Sequence, residues 1–167
     1  MPNRTWLTAA VAATVLVAGC STPDSRPERS NAQVTAPDTP EGTLTELVKR
    51  IADGRADNAC ELFVPGGQAI FAQQFETTDC VSAMQIVIGK VTDPKNFGSA
   101  QLKPSGKYPG VQLDGDSATF GGACSGWRDP DLTSGMAPSD LGEIKLKKTP
   151  NGWFIYEVRL PNTTCGG

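Results

Sequence analysis

Residues 143–160 read EIKLKKTPNGWFIYEVRL, and this stretch decides the fold class. Ile144 and Leu146 alternate with Lys145 and Lys147, the period of a strand with one buried and one wetted side. Thr149-Pro150-Asn151-Gly152 supplies a turn, and Trp153 to Leu160 returns as a second strand. Trp153, Phe154, Ile155, Tyr156, Val158 and Leu160 make that strand apolar on both sides, so a central position, or one facing both helices and a cavity, is expected. Upstream, Tyr108 to Leu113 and Ser117 to Phe120 flank Asp114-Gly115-Asp116 as an earlier hairpin, because Asp-Gly accepts the positive φ angles of a tight turn.

Ahead of the hairpins the period lengthens to that of helices. Leu44, Leu47, Val48 and Ile51 share one helical face, Thr43 and Glu46 have capping-box spacing, and Gly54 marks a stop. Asp57 to Phe63 reads as a shorter segment broken by Val64-Pro65-Gly66-Gly67, followed by helical stretches over Gln68 to Phe75 and Asp79 to Val91. The β-branched residues Val87, Ile88 and Val91 make a strand a competitor at the end of the last stretch. Helices first and antiparallel hairpins after give an α+β domain, placed at residues 43–167.

The N-terminus carries an address. Arg4 precedes an uncharged run from Trp6 to Ala18, which as a helix spans only about 20 Å against the roughly 30 Å of a membrane core. Residues 1–19 therefore read as an export signal rather than a membrane span. Leu16-Val17-Ala18-Gly19-Cys20 resembles the lipobox of bacterial lipoproteins. That resemblance implies cleavage before Cys20, acyl chains such as palmitate on Cys20, and a lipid-anchored protein on the extracytoplasmic face of the cell membrane. Residues 20–42 lack aromatics and carry prolines at 23, 27, 37 and 40, too little apolar surface to offset the entropy of ordering them. They read as a flexible tether holding the domain roughly 25 Å from the membrane.

The order of elements, with the Asp57 to Phe63 segment, a helix bearing Cys80 and the Asn151-Gly152-Trp153-Phe154-Ile155 strand, resembles the NTF2-like (SnoaL-like, cystatin-like) families. The resemblance covers residues 43–161 and implies N-terminal helices packed on a curved antiparallel sheet, a cone stapled by disulfides. With Cys20 lipidated, Cys60, Cys80, Cys124 and Cys165 remain, an even set in an oxidising compartment that leaves three pairings open. Favoured are Cys60 with Cys80, joining two helical segments as in the exported NTF2-like proteins it resembles, and Cys124 with Cys165, pinning the C-terminal tail to the glycine-rich loop.

Composition excludes much chemistry. The chain of 167 residues has a formal charge of −3 and no histidine. Acidity gives nucleic-acid phosphates no basic surface. The missing histidine removes Ser-His-Asp and Cys-His catalysis and His-rich metal sites. Asp114 and Asp116 sit where a turn is expected, and Ser117 to Phe120 offers calcium no further carboxylates, so no metal is expected there. Gly121 to Arg128 lacks the Gly-Lys-Ser/Thr ending of a phosphate loop, and no cofactor is expected. Trp127 and Arg128 are a candidate interface pair, against the alternative that Trp127 covers the sheet edge.

The expected role is non-catalytic: a lipid-anchored envelope protein that binds a small apolar ligand or an envelope protein partner, or serves as an accessory to a larger complex. The alternative is an enzyme of the SnoaL or ketosteroid-isomerase kind, with Asp79 or Glu157 as the carboxylate that acts as base in a hydrophobic cavity.

Overall fold

In a computed structural model, the structure describes residues 34–102, 110–121, 127–128 and 135–161. The expected signal at 1–19, Cys20, the first part of the segment read as a tether, Cys124 and Cys165 lie outside the described residues.

The domain is α+β. Helices α1 (Pro40–Ala52), α2 (Ala56–Cys60), α3 (Pro65–Gln74), α4 (Cys80–Lys90) and α5 (Pro94–Gly98) precede every strand, and the short β1 (Gln101–Leu102) and β4 (Trp127–Arg128) pair with each other outside the main sheet. The main sheet is antiparallel in the order β2 (Gln112–Asp114), β3 (Ser117–Phe120), β5 (Glu143–Thr149), β6 (Gly152–Arg159). Both expected hairpins are present. Asp114 pairs with Ser117 and Thr149 with Gly152, so each turn has two central residues, and Gly115 takes the positive φ (57°) expected of it. Tyr108 and Pro109 lie outside the described residues.

One face of the sheet is apolar. Ala118, Phe120, Ile144, Leu146, Ile155 and Val158 are buried and meet Leu44, Leu47, Phe71 and Met84 from the helices in one core. The register of β5 on β6 shifts between Lys145 and Leu146, so Tyr156 is the extra residue of a bulge. Beyond it Glu157 faces Lys145 across the ladder, and Ile155 and Val158 both keep to the core.

Three expectations about the helices and the segment before them require correction. The helix starts at Pro40, not Thr43. Thr39 is the N-cap, its Oγ1 accepting the Gly42 N–H at 3.1 Å, and Pro40 fills the first helical position, where a missing N–H costs nothing. Thr43 lies within the helix, fully buried, and its hydroxyl donates to the Trp153 carbonyl at 2.9 Å. Second, the end of the segment read as tether is docked: Ala36 N–H donates to Asn151 O at 2.8 Å and Trp153 N–H to Pro37 O at 2.9 Å. Gly152 permits this approach, since a Cβ there would stand 2.2 Å from the Ala36 oxygen. Third, Val64-Pro65-Gly66-Gly67 starts α3 instead of breaking the chain, with Pro65 again in the first turn. Gly67 lies so close to β6 that a Cβ would meet Ile155 O at 2.8 Å.

Strand β6 ends the ladder and is not central, yet its outer edge is occupied. Residues 36–37 bond one end, Ile155 N–H donates to Leu62 O at 2.8 Å, and Val64 N–H donates to Ile155 O at 2.9 Å. Further along, the Gln74 side-chain amide donates to Val158 O and accepts the Leu160 N–H at 3.2 Å, imitating a peptide group. This coverage accounts for a strand apolar on both sides at the sheet's edge. The C-terminal half of α4 remains helical to Lys90 despite its β-branched residues, because Val87 is buried in the core.

Candidate functional site

Cys60 and Cys80 form a disulfide with Cα atoms 6.0 Å apart, linking the end of α2 to the start of α4. Both are buried.

The two carboxylates considered as bases have other work. Asp79 caps α4, accepting from Ser82 N–H at 2.9 Å and Ser82 Oγ at 2.8 Å. The Ser82 bonds, with a further one from Thr78, hold its carboxyl below the ordinary range. Glu157 accepts from Lys145 Nζ at 2.9 Å and from Arg159 Nε. The Lys145 bond, then the Arg159 bond, hold Glu157 below the ordinary range, while Glu157 raises Lys145. Asp79 is exposed, and Glu157 is on the sheet face opposite the core, across from Lys145.

A depressed carboxyl stabilises the fold above its unfolded-state pKa, and that contribution is lost as pH falls through the folded-state value. Glu157 therefore contributes to the acid limb of the stability curve. In Glu157→Gln, the fall in melting temperature below about pH 5 should be shallower than in the wild type. Thermal melts at stepped pH check this, and parallel acid limbs would count against the assigned ion pair.

Trp127 is half-buried. Its ring meets Phe120 edge-on, with centroids 5.3 Å apart and planes at 78°. The indole thus packs on Phe120 at the end of β3. Its Nε1 is buried with no hydrogen-bond partner among the described residues. Arg128 pairs through its backbone with Gln101. Asp114 and Asp116 are exposed beside the β2–β3 turn.

Sequence reasoning missed a hollow at the C-terminal end of α4. Phe75, Gly89, Lys90, Thr92, Met136 and Leu160 border a space of about 530 Å³, together with Gly135, Asp140 and Pro161. Met136 N–H donates to Lys90 O at 3.0 Å, so the 135–140 loop is hung on the last turn of α4. The Lys90 ammonium lies 5.5 Å from the centre of the Phe75 ring. A neighbouring hollow of about 460 Å³ shares Leu160 and is lined by Ile70, Gln73, Gln74 and the paired Glu157 and Arg159. Lys90 and Met136 are far apart in sequence, and no local pattern announces that they meet.

Comparisons with protein-family models, with curated proteins and with solved structures find no match.

Proposed function

We propose that the protein is a lipid-anchored component of a bacterial cell envelope whose domain binds rather than catalyses. The carrying observation is the packing between helices and sheet: Phe71, Phe120, Ile144, Leu146 and Ile155 fill the space an NTF2-like enzyme would need for substrate, each almost wholly buried. The cap and ion pair that depress Asp79 and Glu157 support the same reading. The lipobox-like Leu16-Val17-Ala18-Gly19-Cys20 supports the anchor, and the buried Cys60–Cys80 bond suits an oxidising compartment. Helices gathered on one face of an open antiparallel sheet support the NTF2-like or cystatin-like cone as the finer description of the fold.

In this reading the acyl chains on Cys20 hold the protein at the extracytoplasmic face, and partners or ligands meet the outer surface of the domain. Two acyl signals give stable anchoring where one gives marginal binding. Growth with an alkyne-bearing palmitate analogue tests the anchor. The wild type should become labelled and Cys20→Ala should not; label retained in Cys20→Ala, or absent from the wild type, would overturn it.

A further inference from the structure

The hollow at the end of α4 has the composition of a small-molecule site. Its volume of about 530 Å³ falls within the range such sites occupy, about 300–1,000 Å³. Phe75, Met136, Leu160 and Pro161 give it apolar walls. Lys90 brings a cation to its rim, and this ammonium makes no ion pair among the described residues.

The walls are fixed before any ligand arrives. Met136 is tied to the Lys90 carbonyl, and Ala137 N–H donates to Asp140 Oδ2 at 2.8 Å. Gly135, at a φ of 90°, lies so close to Thr92, just beyond α4, that a Cβ would stand 2.2 Å from its Oγ1. A preformed site spends little binding energy on ordering itself.

Charge narrows the ligand. Lys90 supplies one positive charge, and Asp140, with one carboxylate oxygen held by Ala137, supplies one negative charge on the same lining. A dianion such as a phosphate monoester would meet the Asp140 charge after satisfying Lys90. A monocarboxylate, with half that charge, meets a weaker repulsion. In the neighbouring hollow Arg159 is paired with Glu157, which Lys145 also holds, whereas Lys90 makes no ion pair among the described residues.

We propose that this hollow binds a small monocarboxylic acid with an apolar body, its carboxylate on Lys90 and its hydrocarbon or aromatic part against Phe75, Met136 and Leu160. The inference rests on the reading of the domain as a binding module and names its ligand class.

Methionine methyl groups report on it. Met84 is in the core, 1% exposed, and Met136 lines the hollow. Full-length protein labelled with [13C]methyl-methionine would be titrated with 4-phenylbutyrate, its neutral analogue 4-phenylbutanol, and phenyl phosphate, the Met136 signal being assigned through Met136→Leu. The Met136 methyl should shift saturably with phenylbutyrate while Met84 stays still. Lys90→Gln should weaken binding about tenfold or more, and Lys90→Arg should retain most of it. An unmoved Met136 signal, equal affinity in Lys90→Gln, or equal binding of the alcohol or the phosphate would overturn the proposal. An unchanged Met84 signal in Lys90→Gln shows that the variant is folded. Failure here with Cys20 still labelled removes the ligand class alone, whereas lost labelling removes the anchor.

Discussion

Phe71→Ala should destabilise the domain by about 3–5 kcal/mol, the range for removing a buried aromatic from a core. Phe71 is 1% exposed and stands between two other rings, with centroids 5.2 Å from Phe63 and 5.1 Å from Phe75. Its loss empties the junction of α3 with the segment leaving α2, and both depend on contact with β6 for their placement. A domain of this size has about 5–15 kcal/mol of stability in all, so the variant should sit near the edge of folding at 37 °C. Ile70 is the matched control: it is the preceding residue of the same helix, 42% exposed, and Ile70→Ala should fall within about 1 kcal/mol of wild type. Urea denaturation of the pair checks this, and equal midpoints would mean that α3 does not present Phe71 to the core.

Breaking the Cys60–Cys80 bond should cost about 3 kcal/mol, from the loop-closure entropy of a sequence separation of 20. Cys60→Ala with Cys80→Ala is the cleaner variant, because paired serines would bury two hydroxyls. The bond joins α2 to the first turn of α4, where the Asp79 cap is made, so fraying should concentrate there. Hydrogen exchange at Ser82, whose N–H donates to Asp79, should accelerate on reduction more than exchange at Leu146 in β5. Thermal melts with and without reductant measure the global effect, and coincident melts would contradict a closed bond in the native protein.

The elements legible in the sequence were those whose signal is local. Alternation in 143–148 and the Gly115 turn marked the hairpins, and the Leu44, Leu47, Val48, Ile51 stripe marked α1. Proline was read less well. Pro40, Pro65 and Pro94 each occupy the first position of a helix, and Pro138 does the same in the short 3-10 turn Pro138–Leu141. Averaged over residues 20–42, Pro40 resembles tether composition. Judged beside Thr39, it is a capped helix start. Helix α5 is built the same way, Asp93 capping Asn96 ahead of the fully buried Phe97.

Other features were illegible because their partners are distant in the chain. Nothing near Ala36 or Pro37 shows that they will bond Asn151 and Trp153, and nothing near Thr43 shows that its hydroxyl belongs to Trp153 rather than to a helix cap. Glu157 looked like a carboxylate in an apolar strand. The Tyr156 bulge turns it to the opposite face, where Lys145 and Arg159 hold it ionised. The hollow beside Lys90 depends on four separate segments, none of which carries a motif.

The protein is proposed as an exported, lipid-anchored domain with a closed, disulfide-linked core. Intact-mass measurement under non-reducing conditions, on protein extracted from its host membranes, tests it most directly. The predicted result is a chain beginning at Cys20, heavier by its acyl chains, in which peptide mapping finds Cys60 joined to Cys80. A chain that retains Met1, carries no acyl group and yields Cys60 and Cys80 as free thiols would contradict it.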